Sequence, residues 1–180
     1  MERSLTHIAL FTALIVVLGL VPRIDLAFGV PITAQSLGIM LCGTVLGARK
    51  GALAVVLFLV LVAIGLPVLS GGRGGLGLFA GPSAGYLIGF PVAAFVAGLV
   101  MERTTLSPLW AGVSGAIIGG IGVLYLFGIT GMSIALGKTW VEASYLGMAF
   151  LPGDIIKSLL AGVVTQAIAT SRPMSLISRA

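Results

Sequence analysis

Pro152-Gly153-Asp154-Ile155-Ile156-Lys157 places a carboxylate and an ammonium at the start of an apolar segment that has the composition of a membrane helix. Asp154 and Lys157 are three residues apart, so on a helix they share one face, about one turn from each other. A charge held at membrane depth costs about 3 kcal/mol. The segment therefore predicts a membrane helix whose charged pair is either an ion pair at a helix end or part of a ligand site.

The composition of the whole chain indicates the same class of protein. Of the 180 residues, 58% are hydrophobic and 8% are charged, and the mean hydropathy is +1.21. These values lie well outside the range of soluble domains, so we expect one integral membrane domain that comprises residues 1–180. The formal net charge is +5, but the basic residues are scattered singly between apolar runs. Membrane topology explains this pattern better than nucleic-acid binding does.

Six apolar segments of helical length are separated by proline, glycine and charged residues, which predicts an all-α bundle of six transmembrane helices. Five run from Ser4 to Leu20, Thr33 to Gly47, Ala52 to Leu66, Ser83 to Met101 and Pro152 to Thr170, and the remaining one begins at Ser107-Pro108 and precedes Ile129. The second segment is expected to stop at Arg49-Lys50-Gly51 and is short for a bilayer core of about 30 Å. Thr139 and Glu142 have the spacing of a capping box, which predicts a short helix at the membrane interface.

The distribution of basic residues predicts that both termini are cytoplasmic. With six spans, both ends of the chain lie on one side of the membrane. That side carries Arg3, Arg49, Lys50, Arg103, Arg172 and Arg179, and the other carries Arg23, Arg73 and Lys138. An excess of Lys and Arg is typical of the cytoplasmic side. The start of the last span then lies at the outer face, where an extracellular solute arrives, and this favours a ligand site for Asp154 and Lys157.

Two glycine-rich stretches allow close approach of the backbone to a ligand. They are Ser70-Gly71-Gly72-Arg73-Gly74-Gly75-Leu76-Gly77 and Gly81-Pro82-Ser83-Ala84-Gly85-Tyr86. The first is not a Walker loop or a dinucleotide fingerprint, because no Lys-Ser/Thr follows it and no strand precedes it. We therefore expect no ATPase, cofactor or metal chemistry in this chain. The second contains Gly-x-Ser-x-Gly, so a serine hydrolase that uses Ser83 with Lys157 as its base is an alternative, as is a membrane scaffold without transport.

Several of these motifs together resemble one family. They are Val30-Pro31-Ile32-Thr33-Ala34-Gln35, Gly65-Leu66-Pro67-Val68, the two glycine-rich stretches, and Pro152 to Lys157, in this order and at these spacings. Through these motifs the chain resembles the BioY family. Its members are the biotin-specific substrate-binding (S) components of energy-coupling factor (ECF) transporters. The resemblance implies high-affinity biotin binding and uptake at the cytoplasmic membrane, without enzymatic activity. It also implies a six-helix bundle with an outer pocket covered by the first loop, and an S component for another vitamin is the alternative.

The chemistry of biotin suits the residues at the predicted outer face. Its ureido ring offers N–H donors and a carbonyl acceptor, and its tail ends in a carboxylate. Asp154 would accept from the ureido N–H groups, and Lys157 would donate to the ureido oxygen or to the carboxylate. The other candidate contacts are Arg73, Thr33 and Gln35, with apolar walls from Phe28, Ile32, Phe79 and Tyr86. The alternatives are a solvated surface position for Arg73, helix capping for Thr33 and Gln35, and an interfacial anchor for Tyr86.

The first span carries a small-residue pair that predicts a partner contact. Ala9 and Ala13 are one helical turn apart, and methyl side chains let another helix approach closely in a membrane. They also match the A-x-x-x-A pattern by which S components dock onto the transmembrane coupling (T) subunit. The resemblance thus implies a T subunit and a pair of ABC ATPases as partners, in addition to biotin and membrane lipid.

Overall fold

The computed structural model describes residues 2–179, with side chains for residues 4–179, so the Arg3 side chain in the charge count lies outside the description. Seven α-helical elements position the described chain. They are α1 (Glu2–Leu18), α2 (Gln35–Leu46), α3 (Ala48–Ala63), α4 (Ala84–Arg103), α5 (Pro108–Leu136), α6 (Trp140–Gly147) and α7 (Leu151–Ser171). Short 3-10 turns occupy Leu76–Ala80, Met148–Phe150, Pro173–Ser175 and Ile177–Arg179. Within residues 2–179 the β pairing is limited to two isolated bridges, Ile24 with Ile32 and Leu69 with Arg73. The prediction of an all-α protein is confirmed.

Among residues 2–179, three helical stretches are long and apolar enough to cross a membrane. They are Ala84–Arg103, Pro108–Leu136 and Trp140–Ser171. The stretches Ser4–Leu18 and Gln35–Leu46 are apolar but shorter. Because α2 has 12 residues, it extends over about 18 Å, which agrees with the expectation that the second segment is short.

The corner between α2 and α3 differs from the prediction. The second helix was expected to stop at Arg49-Lys50-Gly51, but α3 begins at Ala48, so Arg49 and Lys50 lie in its first turn. Only Gly47 separates the helices, at a φ of 84° that favours glycine. A side chain at Gly47 would also collide with Glu102, whose Oε1 accepts the Ala48 N–H at 2.8 Å.

The fifth predicted span is longer than expected. The rise in polarity after Ile129 suggested that the span ended there, but α5 continues to Leu136. A π-helical segment, Ile118–Val123, lies within it. At Gly119 in this segment the backbones of α5 and α4 come so close that a Cβ would collide with the Ala93 carbonyl. Glycine therefore permits the packing of these two helices.

The ends of the last helices agree with their sequence signals. Pro108 and Pro152 lie in the first turns of α5 and α7. Proline is tolerated there because a backbone N–H in the first turn has no partner within the helix. Thr139 and Glu142 form the predicted capping box before α6, which is confirmed. The Thr139 N–H donates to Glu142 Oε2 at 2.8 Å.

The core is centred on α2, which is buried over nearly its whole length. It is closed at one end by the C-terminal segment, where Leu176 and Ser178 are buried. Ser178 Oγ donates to the Thr44 carbonyl at 2.6 Å. At the opposite end, α2 meets the start of α7 and the first glycine-rich stretch, residues 70–77, which we call the glycine-rich loop. This junction contains the candidate site.

Candidate functional site

The Asp154 carboxylate joins three helices at the end of the bundle opposite the C-terminal segment. Its Oδ1 is 2.9 Å from Lys157 Nζ on the same helix, and it accepts a hydrogen bond of 3.2 Å from Ser36 Oγ on α2. Lys157 Nζ also donates to Ser36 Oγ at 2.9 Å. Tyr125 on α5 donates to Asp154 Oδ2 at 2.9 Å. The predicted pair is thus an ion pair, and it is part of a four-residue polar network.

This network forms part of the wall of a cavity. Seven of the predicted site residues line it, namely Ile32, Thr33, Gln35, Arg73, Tyr86, Asp154 and Lys157. Apolar side chains from α4, α5, the 3-10 turn Met148–Phe150 and the loops complete the wall, among them Val30, Leu69, Leu87, Phe90, Leu124 and Phe150. A mostly apolar cavity with a few convergent polar groups is typical of a small-molecule site.

Tyr86 presents a buried hydroxyl to the cavity. The residue is only 8% exposed, and among the described residues its hydroxyl has no hydrogen-bond partner. Its ring packs edge-on against Phe150 and Tyr125, with centroid distances of 5.6 and 6.5 Å, and it contacts α5 at Gly128. An unpaired buried hydroxyl costs about 1–3 kcal/mol, so this position suits contact with a polar ligand group better than a purely structural role.

Gln35 connects the cavity to its supporting loops. Its Nε2 donates to the carbonyls of Ile15 and Val68, each at 3.1 Å, and its Oε1 accepts the Ser70 N–H at 2.9 Å. The amide is thereby engaged by backbone groups from α1 and the glycine-rich loop. Thr33 Oγ1 accepts the Gln35 N–H at 3.3 Å. Thr33 therefore also satisfies a backbone group at the start of α2, as the capping alternative expects.

Arg73 and Arg23 hold the glycine-rich loop at the cavity mouth. Arg73 Nε and Arg23 Nη1 both donate to the Ser70 carbonyl, at 3.2 and 2.7 Å. Arg23 Nε also pairs with Asp25 at 2.8 Å. Partial burial and the neighbouring Arg23 lower the pKa of Arg73, whereas Asp25 opposes this shift. Arg73 is therefore a partly buried wall residue, in contrast to the alternative of a solvated surface arginine.

Two predicted aromatic wall residues lie elsewhere. Phe79 is on the 3-10 turn Leu76–Ala80 and packs against the main core, but it is not among the residues that line the cavity. Phe28 packs edge-on against Phe150 at 5.9 Å, behind the wall. The prediction for Phe79 relied on its closeness in sequence to the glycine-rich loop, and the turn directs it away.

Ser83 lines the cavity but lacks the setting of a hydrolase nucleophile. It precedes α4 and follows a 3-10 turn, whereas the Gly-x-Ser-x-Gly elbow connects a strand to a helix. The Lys157 ammonium donates to Ser36 and Asp154. It is therefore engaged away from Ser83.

Ala9 and Ala13 are not among the residues that line the cavity. Both are exposed on α1. Ala13 lines an apolar groove together with Leu10 and Val17 of α1 and Ile168 of α7. Within the described residues this face of α1 has no helix packed over Ala9 and Ala13. Docking of a partner at Ala9 and Ala13 stays a prediction.

Ser36, Tyr125 and Phe150 were missed by sequence reasoning. Ser36 directly follows the Val30–Gln35 motif, and Tyr125 carries a hydroxyl within an apolar helix. A polar group inside an apolar span was the available signal. Its partner, Asp154, is 29 positions away and could not be assigned from spacing alone.

Known proteins resemble this chain over its whole length. The sequence matches the BioY family over residues 2–174. It is 51% identical to the biotin transporter BioY of Rhodobacter capsulatus, over 99% of this chain and 100% of that protein. It is 52% identical to the biotin transporter BioY of Rhizobium etli, over 96% of each. The structure resembles the crystal structure of an S component for biotin from an ECF-type ABC transporter, with a TM-score of 0.90 and 32% identity over 97% of this chain and 96% of that chain. The chain therefore belongs to the BioY family.

Proposed function

We propose that this chain binds biotin in the cavity at Asp154 and Lys157 and acts as the substrate-specific subunit of an ECF transporter. The observation that carries the proposal is the polar network of Asp154, Lys157, Ser36 and Tyr125 in the wall of an otherwise apolar cavity. The names of the relatives in Rhodobacter capsulatus and Rhizobium etli support it, because both are biotin transporters.

The cavity complements the two ends of biotin. The Asp154 carboxylate accepts from ureido N–H groups, and Lys157 donates to the ureido oxygen or to the valerate carboxylate. The Tyr86 hydroxyl supplies a further polar contact, and the apolar side chains of Phe90 and Leu124 contact the sulfur ring and aliphatic tail. In this proposal Arg73 is a second partner for the carboxylate, while Thr33 and Gln35 shape the wall. Phe79 supports the loop from outside.

The proposed topology is a bundle of six spans with both termini in the cytoplasm, formed by one domain of the cell membrane. The three shorter helices α1, α2 and α3 would complete the bundle together with the three long stretches. Two exposed aromatic residues, Trp140 and Trp110, lie near the starts of α6 and α5. In the proposed topology these positions would lie at the membrane interfaces, where tryptophan is enriched. The excess of basic residues at the terminal end supports the orientation.

Energy coupling is proposed to depend on separate subunits. The chain has no Walker loop, so ATP hydrolysis would be supplied by a pair of ABC ATPases, linked to this chain through a T subunit. The exposed Ala9 and Ala13 on α1 are the proposed docking face. We infer that the chain itself is not an enzyme and requires no cofactor or metal.

Equilibrium binding to the purified chain tests the proposal. We expect calorimetry to detect saturable biotin binding without any nucleotide, because the cavity residues all belong to this chain. Thiamine and riboflavin, neither of which has the saturated five-membered ureido ring with two N–H donors, are expected not to compete. Binding of another vitamin in place of biotin would assign the S component to that vitamin. If a folded, monodisperse sample binds none of them, the proposal is wrong.

A further inference from the structure

A second cleft lies at the opposite end of the bundle from the cavity. It has a volume of about 480 Å³ and lies between the end of α2, the start of α3, the end of α4 and the C-terminal segment. Its charged residues are Arg49, Lys50, Glu102 and Arg103. Its apolar residues include Leu46, Phe95, Leu99 and Ile177. We refer to it as the basic cleft.

The cations of the basic cleft outnumber its one carboxylate. In the part of the chain that the structure describes, the ion pairs are Arg23 with Asp25 and Asp154 with Lys157, so Arg49, Lys50 and Arg103 are in none. The one carboxylate of the cleft, Glu102, accepts the Ala48 N–H at 2.8 Å. Three positive groups thus face one negative group, which leaves the cleft suited to bind an anion.

On α4, the apolar residues of the basic cleft and its arginine lie on the same face of the helix. Phe95, Leu99 and Arg103 are spaced by four residues, so they lie on one side of the helix in successive turns. The Phe95 side chain is exposed at the surface of the bundle, with 39% of the residue accessible. This face therefore runs from apolar side chains within the helix to a guanidinium at its end, over about 12 Å.

We propose that the basic cleft binds one anionic phospholipid. The lipid phosphate would contact Arg49, Lys50 and Arg103, and the first part of an acyl chain would lie along Leu99 and Phe95. Basic pockets between helices at a membrane surface favour anionic headgroups for this reason. A soluble anion would use the charges but would leave the apolar wall uncovered, so the combination favours a lipid.

Native mass spectrometry of the full chain in detergent tests this assignment. Phosphatidylglycerol and phosphatidylcholine of equal chain length are titrated separately. We expect one phosphatidylglycerol to bind more tightly than phosphatidylcholine. Because each basic group near a membrane surface contributes about fivefold to anionic lipid binding, Arg49→Gln, Lys50→Gln and Arg103→Gln should each weaken it about fivefold, and the triple variant on the order of 100-fold.

Two variants provide matched controls for the loss of charge. Arg172→Gln removes a charge from the same end of the bundle outside the basic cleft, and Lys138→Gln removes one from the other end. Both are expected to bind phosphatidylglycerol like the parent. The thermal unfolding midpoint in phosphatidylcholine verifies that every variant is folded.

Four results would each overturn the assignment. These are equal binding of both lipids by the parent, unchanged phosphatidylglycerol binding by the triple variant, and an equal loss in the controls. The fourth is saturable binding of glycerol phosphate with the affinity of the whole lipid, which would make the cleft a site for a soluble anion. If the second result is accompanied by loss of co-purification with partner subunits, the cleft is instead a protein contact.

Discussion

Asp154 is the residue on which the candidate site depends. Its carboxyl side chain is 8% exposed, and a buried charge is tolerated only when partners satisfy it. Ser36, Tyr125 and Lys157 provide these partners from three different helices. The same network that favours ligand binding therefore also holds α2, α5 and α7 together, and substitutions within it are expected to affect both properties.

Tyr125→Phe tests the structural part of this network. It removes the hydrogen bond to Asp154 Oδ2 and leaves part of a buried carboxylate unsatisfied, so we expect the free energy of unfolding to fall by about 1–2 kcal/mol. Thermal unfolding measures the change. The control is Tyr145→Phe, because Tyr145 is 70% exposed and should have no effect. Equal stability of the two variants would contradict the role of Tyr125.

At the scale of the element, glycine contacts determine how closely α4 and α5 pack. A Cβ at Gly131 on α5 would be 2.5 Å from Gly85 Cα and 2.6 Å from Gly85 N. Both neighbouring atoms belong to backbone, which cannot rotate away. The crossing therefore requires glycine at this position.

Gly131→Ala should destabilise the chain by about 1–3 kcal/mol, because the two helices must separate. Gly122→Ala on the same helix is the matched control, since its Cβ would meet only the Ile117 carbonyl at 3.8 Å. Alanine is the better helix former, so this control should be neutral or more stable by up to about 1 kcal/mol. Unfolding of both variants in the same detergent provides the comparison. A Gly131→Ala variant as stable as the control would disprove the close crossing.

The face of α1 carries the prediction on docking. Ala9→Trp with Ala13→Trp would place bulk on an exposed helix face that does not line the cavity. Association through small residues in a membrane depends on close packing, so co-purification with a T subunit and ATP-dependent uptake should fall. Biotin binding by the isolated chain should persist. Assembly and transport at the parent level would assign docking to another face.

The helices could be predicted from sequence largely because prolines and charges mark their ends. Pro108 and Pro152 marked the starts of α5 and α7, and the Thr139–Glu142 box marked α6. The errors have local causes. A single glycine at Gly47 is enough to turn the chain, so α3 starts before Arg49. The helix α5 continues to Leu136 because its polar residues Thr130 and Ser133 donate their hydroxyls to backbone carbonyls, those of Leu126 and Lys138.

At the scale of the whole molecule, the chain has two chemically different ends. One end holds the cavity with its buried ion pair, and the other holds the basic cleft and the C-terminal segment. Asp154 and Lys157 could be identified from sequence because charges are rare in apolar helices. Ser36 and Tyr125 could not, because their approach to Asp154 depends on the packing of α2 and α5 against α7.

The central claim is that the cavity at Asp154 and Lys157 is the biotin site. The most direct test is the calorimetric affinity for biotin of the parent, Asp154→Asn, Lys157→Ala and the distant control Lys138→Ala, with thermal unfolding measured in parallel. We predict that Asp154→Asn and Lys157→Ala each lose about 2 kcal/mol or more of binding free energy, because each strands a buried partner, while Lys138→Ala binds like the parent. If the two variants lose thermal stability but the folded protein retains the parent affinity, the pair is only structural and the claim is contradicted.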